Sequence, residues 1–381
     1  MENFMMYNPV RLHFGRDVIK GLGKAVSEFG NKVLLVYGGG SIMKNGIYDQ
    51  VINQLNAAGM TVWKYGGIRP NPVIEDVDTA TALGRLNQVD VIVAVGGGSV
   101  IDSAKVISIT IPYHGTGWDF YAGRHKPVSA VPLIAVLTLA ATGTEMNPFA
   151  VVQNRATMQK LGLRNDLMYP RHSFLDPSYT FSVSREYTAY GIADLMAHCL
   201  EAYFDDGDAS LSDRFVFSIL QEAIDYGPPL LDHLSDYDLR ARIMVAATAA
   251  LNRIMTMNGR KNAGDWGVHA IGHVLSLLYD LPHGASLSIA FPAWLKLQAE
   301  RIPDRIAFLG KHVFGVTTPA ETITSLESFF TAIGCPVRLS QAGIGEDKKE
   351  EILRVMILNQ VGGNYHKLSV GDYSRIIALC S

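Results

Sequence analysis

Residues 90–102, with the sequence DVIVAVGGGSVID, indicate the fold of the first half of the chain. The run Asp90–Val95 is almost wholly apolar, which is typical of a parallel β-strand that is buried on both faces. Three glycines and Ser99 follow, and a helix is expected to open at Val100. Such glycines let the backbone approach a phosphate, and the first turn of a helix favours an anion. A simple glycine turn is the alternative, because the spacing is not the GxGxxG of the common dinucleotide fold.

The same alternation of strand, turn and helix lies on both sides of this stretch. Upstream, the strand Lys32–Tyr37 ends in the glycine-rich turn 38–41, before a helix over about 46–58. Downstream, the strand Leu133–Leu137 is followed by TLAATGTE at residues 138–145. This alternation predicts an α/β domain with a parallel, Rossmann-like sheet, in which ligands bind at the carboxyl ends of the strands. The turns at residues 96–102 and 138–145 lie at one edge of this sheet, and together they favour a bound nucleotide.

The turn at residues 38–41 bears on which dinucleotide, NAD or NADP, a site at this edge would accept. In dinucleotide sites, an acidic residue near this position binds the ribose 2′-hydroxyl of NAD, and its absence leaves room for the 2′-phosphate of NADP. Here no carboxylate follows the strand until Asp49, while Ser41 and Lys44 are close in sequence. The sequence therefore favours NADP(H) over NAD(H), unless the glycines only shape a turn.

The character of the chain changes after about residue 180. From Ser184 onward the apolar periodicity is helical, with long amphipathic stretches such as Leu239–Met257 and Gly284–Glu300. We therefore predict an α/β dinucleotide-binding domain at residues 1–180 and an all-helical domain at residues 181–381, to which the motifs described next assign metal binding and catalysis.

One carboxylate and several histidines lie in two motifs of the second half. Asp194 and His198 are four residues apart in GIADLMAHCLEAYF, so they share one face of a helix. His269 and His273 repeat that spacing, and His283 follows in a Pro-His-Gly turn. Each residue alone has an ordinary structural explanation, but together they suit a divalent transition metal. Asp194, His198, His269 and His283 would make four ligands, which leaves His273 to handle protons.

Composition and charge exclude several other classes of protein. The chain has 381 residues and a net charge of −3 without a basic cluster, which argues against a nucleic-acid or anionic-membrane partner. Its three cysteines, Cys199, Cys335 and Cys380, are widely spaced and fit a reducing compartment rather than a disulfide framework. With no signal-peptide pattern and no membrane-spanning run, a cytoplasmic enzyme is expected.

The order of the motifs resembles one known family. GGGSVID, TLAATGTE, Asp-x-x-x-His in a helix, and His-x-x-x-His with Pro-His-Gly downstream look like the iron-containing (group III) alcohol dehydrogenases. Within that family, the resemblance is to the NADPH-dependent butanol dehydrogenase and aldehyde reductase branch. It implies a dehydroquinate synthase-like architecture, a homodimer, and one divalent metal, iron or zinc, held by the four ligands named above. It also implies cofactor contacts at Gly38, Gly39, Gly40, Ser41, Asn71, Gly97, Gly98, Ser99, Asp102, Thr138, Thr142 and Lys160.

The function expected from these residues is hydride transfer between NADP(H) and a small aldehyde or alcohol, assisted by a metal. Two alternatives lie within the same superfamily, a glycerol dehydrogenase-like polyol enzyme and a dehydroquinate synthase-like lyase. A third, from a different class, is a nucleotide-sensing binding protein with a structural metal, which would show no turnover.

Overall fold

The computed structural model describes all 381 residues, which group into two compact units. The sheet unit consists of Tyr7–Val183 and Leu234–Met244. The helical unit consists of Met1–Met6, Ser184–His233 and Val245–Ser381. The predicted division into two consecutive domains differs from this grouping, because residues 234–244 belong to the sheet unit.

Contacts within the sheet unit explain this return. The guanidinium of Arg16 lies 3.7 Å from the centre of the Tyr237 ring. Arg240 donates to the carbonyl oxygens of Leu234 and Val183, and Met244 is fully buried in the core of the unit. Long-range packing of this kind has no signature in the local periodicity.

Six parallel strands form the main sheet, and this confirms the predicted parallel α/β fold. The strands of the chain are β1 (Arg11–Phe14), β2 (Lys32–Gly38), β3 (Thr61–Ile68), β4 (Val91–Gly96), β5 (Leu133–Leu137), β6 (Phe149–Asn154), β7 (Gln159–Arg164) and β8 (His172–Leu175). The order across the main sheet is β1-β8-β5-β4-β2-β3, and β6 and β7 form a separate antiparallel pair.

Helices cover both faces of this sheet. Leu35 and Val93 belong to one buried cluster, whereas their neighbours Leu34 and Ile92 belong to another on the opposite face. This follows from the period of two residues along a strand. The helices of this region are α1 (Leu22–Ser27), α2 (Ser41–Lys44), α3 (Ile47–Ala57), α4 (Ile74–Leu86), α5 (Gly98–Thr110) and α6 (Trp118–Tyr121).

The order of the strands creates a switch point at the carboxyl edge of the sheet. β2 pairs with β3 on one side and with β4 on the other. The strand that follows β2 in sequence is therefore added on one side of it and the next strand on the opposite side, so the order of the strands reverses between β2 and β4. In open α/β sheets, ligands bind at such a point, outside the carboxyl ends of the strands. Here those ends are the two glycine-rich turns that begin at Gly38 and Gly96.

The β6–β7 hairpin and the short strand β8 were not predicted from the sequence. β8 has only four residues, HSFL, and pairs with β1 and β5, which lie far away in the chain. Short runs of this kind carry too few residues for a clear periodicity.

The remaining helices confirm the all-helical character of the second half. They are α7 (Arg185–Tyr203), α8 (Ser210–Asp232), α9 (Tyr237–Leu251), α10 (Gly267–Tyr279), α11 (His283–Gln298), α12 (Pro303–Val313), α13 (Pro319–Ala332), α14 (Lys349–Leu358) and α15 (Val370–Cys380). None of the helices combines the length and the apolar character that a membrane span requires.

Close packing of α7 against α11 depends on one glycine. A Cβ at Gly284 would lie 2.0 Å from the carbonyl oxygen of Tyr190 on α7, which is far inside van der Waals contact. The Pro-His-Gly sequence therefore lets the first turn of α11 meet the backbone of α7, and this places His283 beside the residues of that helix.

Candidate active site

The four predicted metal ligands converge from three helices of the helical unit. Asp194 and His198 lie on α7, His269 on α10, and His283 at the first position of α11. One ligand atom from each of Asp194, His198 and His269 lies within 4.8 Å of the others. His283 Nε2 lies 3.7 Å from Asp194 Oδ1, and the rings of His269 and His283 are 5.3 Å apart. The structure thus brings the whole predicted set together.

The chemistry of these side chains fits a divalent metal ion. His198 is buried, and its Nδ1 makes no hydrogen bond although it lies 3.6 Å from Asp194 Oδ1. Burial, and secondarily the neighbouring His269, hold the pKa of His198 well below its ordinary value, so its imidazole is neutral. Neutral imidazoles with one carboxylate are suitable ligands for iron or zinc.

His273 lies one turn beyond His269 on α10 and is partly exposed. Its ring centre is 5.6 Å from that of His283 and 6.3 Å from that of His269. It therefore lies beside the ligand group without belonging to the three residues that meet within 4.8 Å. A role for His273 in proton transfer stays a prediction.

Glu201 is a member of this cluster that the sequence interpretation missed. Its carboxylate accepts hydrogen bonds from the backbone N–H of His269 at 2.8 Å and, through Oε1, contacts His269 Nδ1 at 3.0 Å. Burial raises the pKa of the Glu201 carboxyl to about 8, although hydrogen bonds from backbone N–H groups oppose this. A signal for Glu201 was present, because it follows His198 by three residues and Asp194 by seven and so shares their helical face.

The predicted cofactor residues of the glycine-rich turns lie at neighbouring strand ends of the sheet unit. β5, β4 and β2 are adjacent, and they end at Leu137, Gly96 and Gly38. Thr138 follows the first of these ends, and its N–H donates to the carbonyl of Gly96 at 3.0 Å. The residues that follow the other two ends are Gly39, Gly40, Ser41, Gly97, Gly98 and Ser99.

The turns after β4 and β5 are in direct contact. A Cβ at Gly98 would lie 2.7 Å from Thr142 Cγ2, so a larger residue would force the two turns apart. Glycine at this position is therefore required by the neighbouring turn, independently of any bound phosphate.

Asn71 and Lys160, which are distant in sequence, meet in the structure. Lys160 Nζ donates to Asn71 Oδ1 at 2.7 Å, and both residues are buried. Asn71 has a φ of 53°, in the left-handed region that asparagine tolerates better than most residues. The hairpin carrying Lys160 is thereby attached to the loop between β3 and α4.

Both carboxylate oxygens of Asp102 accept hydrogen bonds from other residues of the chain. Oδ1 accepts from Thr144 Oγ1 at 2.5 Å, and Oδ2 accepts from the N–H of Val151 at 2.8 Å. These bonds attach the start of α5 to residues 138–145 and to the hairpin. Burial raises the pKa of Asp102 above its ordinary value.

Lys105 belongs to the same hydrogen-bond network as Asp102, and the sequence analysis did not identify it. It is fully buried, and its Nζ donates to Thr144 Oγ1, Asn147 Oδ1 and the carbonyl of Phe149, at 2.6, 3.0 and 2.6 Å. Burial lowers its pKa to about 8. Its position three residues after Asp102 on α5 was the available signal.

A parallel sheet with glycine-rich turns at its switch point, together with a buried group of one aspartate and three histidines, is typical of nucleotide-linked oxidoreductases that use a metal. Comparison with known proteins identifies the family. The family described as iron-containing alcohol dehydrogenase matches residues 9–177, and the C-terminal part of the Fe-containing alcohol dehydrogenase family matches residues 188–379.

Individual relatives match over the full length of the chain. A probable NADH-dependent butanol dehydrogenase 1 of Bacillus subtilis is 39% identical, with 99% of both chains covered. The NADPH-dependent aldehyde reductase YqhD of Escherichia coli is 34% identical, again with 99% of both covered. The crystal structure of an NADH-dependent butanol dehydrogenase A from Thermotoga maritima is 36% identical and superposes with a TM-score of 0.96, covering 100% of this chain and 99% of that one.

The chain belongs to the iron-containing alcohol dehydrogenase family, and it is an NAD(P)-linked alcohol dehydrogenase. The resemblance inferred from the order of the motifs is confirmed. The alternative of a binding protein without catalytic activity is excluded by this membership.

Proposed function

We propose that the enzyme is a metal-dependent aldehyde reductase and alcohol dehydrogenase that acts on small substrates and prefers NADPH. The observation that carries the proposal is the convergence of Asp194, His198 and His269 within 4.8 Å, with His283 beside them. The relatives named as butanol dehydrogenases and as an aldehyde reductase support the substrate class.

In this proposal Asp194, His198, His269 and His283 hold one divalent ion, iron or zinc. Such an ion supplies Lewis-acid polarisation of a carbonyl group when it is bound, and a reduced nicotinamide supplies the hydride. The chain contributes fixed ligand positions, because two of the four lie one turn apart on α7 and the helices that carry the others are packed closely in the same unit.

His273 is assigned the proton-handling role. It lies beside His269 and His283, and the residue is partly exposed although its Nε2 atom is buried. In the direction of reduction, the substrate oxygen gains a proton after hydride transfer, and His273 would deliver it.

The cofactor is assigned to the carboxyl edge of the sheet, at residues 38–41, 97–99 and 138–142, with Asn71 and Lys160. A preference for NADPH is proposed because the turn after β2 holds Gly39, Gly40 and Ser41 and no carboxylate. The relatives' names divide on this point, since some are called NADH-dependent and others NADPH-dependent. The proposed preference therefore rests on the residues of this turn.

The central experiment follows NADPH oxidation with a panel of aldehydes, before and after chelation and with iron or zinc restored. Activity that is lost on chelation and recovered with one of the two metals is expected. Activity that persists in metal-free protein would contradict the proposal. Faster oxidation of glycerol or other polyols than of simple alcohols would favour the polyol alternative.

The cofactor preference needs its own variants. Gly39 has open space around the position of a Cβ, so Gly39→Asp and Gly39→Asn should both fold. The aspartate should lower kcat/KM with NADPH relative to NADH, because its charge repels a 2′-phosphate, and the neutral asparagine serves as the matched control. A wild-type enzyme that uses NADH as well as or better than NADPH would contradict the preference. The proposed homodimer is measured separately by sedimentation.

A further inference from the structure

The carboxylate of Glu201 lies at the N-terminus of α10, although it belongs to α7. It accepts hydrogen bonds from the backbone N–H groups of Trp266, Val268 and His269. Trp266, the residue that precedes α10, provides no side-chain cap of its own and has a φ of 65°. A buried glutamate from another helix therefore satisfies the first N–H groups of α10, where the helix dipole also favours a negative charge.

The same carboxylate oxygen contacts the ring of His269. Oε1 accepts from the backbone N–H of His269 at 2.8 Å and lies 3.0 Å from its Nδ1. A neutral imidazole carries one N–H, and an ionised carboxylate can only accept, so in the ionised state of Glu201 the proton lies on Nδ1. Nε2 is then the nitrogen that has a lone pair to offer. Because one oxygen is bound to both the backbone and the ring, the side chain of His269 is restrained in its rotation as well as in its tautomer.

We propose that Glu201 is a positioning residue that sets the tautomer and orientation of His269 for metal binding. The inference rests on the proposed function, since it requires that His269 is a metal ligand. Histidine ligands commonly donate their second ring N–H to a carboxylate, and loss of that partner costs ~10–100-fold in metal affinity. Here Glu201 also accepts hydrogen bonds from backbone N–H groups at the start of α10, the helix that carries His269. One side chain therefore restrains both the backbone and the ring of the proposed ligand.

A purely structural role for Glu201, as a helix cap alone, is the competing explanation. Asp205 offers a matched control, because it lies one turn further along from Glu201 and holds the loop that leads into α10. Its carboxylate accepts from Asn262 N, Asn262 Nδ2 and Gly264 N, each at 2.9 Å. Asp205→Asn should therefore loosen the approach to α10 without removing the partner of the His269 ring.

The experiment compares wild type, Glu201→Gln, Glu201→Ala and Asp205→Asn as purified metal-free proteins. Affinity for Zn²⁺ is measured by competition with a chelator, the ligand geometry by the absorption spectrum of the Co²⁺-loaded protein, and the His269 tautomer by imidazole ¹⁵N shifts without metal. We expect Glu201→Ala to bind Zn²⁺ ~10–100-fold more weakly, and Glu201→Gln to recover part of that loss because its amide oxygen still accepts from Nδ1–H. Asp205→Asn should lower the Tm while its Zn²⁺ affinity and Co²⁺ spectrum stay those of wild type.

Three results would overturn the proposal. Unchanged Zn²⁺ affinity and spectrum in Glu201→Gln and Glu201→Ala would show that the residue does not position the ligand. An equal loss of affinity in Asp205→Asn would assign the effect to the loop and cap. A wild-type protein that binds no metal would refute the proposed function itself, and this outcome is distinguishable from the first two, in which wild type binds. If Glu201→Ala fails to fold, Glu201→Gln, which keeps the size of the side chain, decides the question.

Discussion

The two candidate sites of this enzyme are built in opposite ways. At the sheet edge, the predicted cofactor site consists mainly of backbone and small residues that follow three adjacent strands. In the helical unit, the predicted metal site consists of side chains from three helices that meet within a few ångströms.

This difference predicts how each site responds to mutation. A site made of backbone at strand ends follows from the topology of the sheet, and single side chains affect it mainly by steric obstruction. A metal site depends on every ligand, because removal of one leaves buried polar groups without their intended partner. The largest effects are therefore expected in the helical unit.

His269→Ala should produce the largest effect. Lewis-acid assistance is worth several kcal/mol, so its loss corresponds to a rate reduction of ~1000-fold or more. Metal content, measured on the purified protein, should fall together with turnover. Full activity without bound metal would show that the metal site is not catalytic.

His273→Ala should separate proton transfer from metal binding. General acid–base catalysis contributes ~10²–10⁴-fold, so kcat should fall within that range while the metal content stays that of wild type. The pH profile of kcat should also change. Loss of the metal in this variant would instead make His273 a ligand.

Gly98→Ala tests whether the sheet-edge site responds mainly to steric obstruction. The new Cβ would lie 2.7 Å from Thr142 Cγ2, and overpacking of this kind costs ~1–3 kcal/mol. We expect a KM for NADPH that rises ~10-fold, with unchanged metal content. The double variant Gly98→Ala with Thr142→Ser, which removes the obstructing methyl group, should recover part of the loss. If the KM for NADPH does not recover in the double variant, the contact with the Thr142 methyl group is not the cause of its rise.

The smallest predicted effect is a dependence of stability on pH through Lys105. Burial lowers the pKa of Lys105 from 10.5 to about 8 in the folded protein, so between these values the unfolded chain holds a proton that the folded protein has released. The contribution to the free energy of unfolding therefore rises with pH over that window, and below about pH 8 the cost of the buried charge is fully present.

Lys105→Met should remove this rise. The difference in unfolding free energy between wild type and variant, measured with urea across pH 7.5 to 10, cancels the titration of groups that do not interact with Lys105. A difference that does not change with pH would show that the amine titrates normally.

Much of the fold could be predicted because local sequence determines local structure. The strand Leu133–Leu137 was predicted with its observed bounds, and the helix that begins after Gly97 was expected within two residues of its start. Apolar runs, glycines at strand ends and helical spacing act over a few residues, so they are visible in one sequence. The residue types of the metal ligands and the four-residue spacing of Asp194 and His198 on one helix are also local features, so they could be recognised in the sequence.

Residues without a distinctive local pattern were missed. Glu201 and Lys105 have hydrogen-bond partners that lie 68 and 39 residues away in the sequence. Their helical positions relative to Asp194 and Asp102 were available as signals, but charged residues on a helix are usually solvated, and only the structure shows that both are buried.

Local sequence patterns account for the parallel sheet, the helical second half, the glycine-rich strand ends and the identities of the metal-binding candidates. They do not account for the meeting of α7, α10 and α11, for the attachment of the hairpin β6–β7 to Asn71 and Asp102, or for the return of residues 234–244 to the sheet unit, all of which are seen only in the folded chain. The two groups differ in the sequence separation of the contacts on which they depend. Secondary structure follows from periodicity over a few neighbours, whereas the meeting of α7 and α11 depends on contacts such as Gly284 against Tyr190, between residues that no local pattern connects.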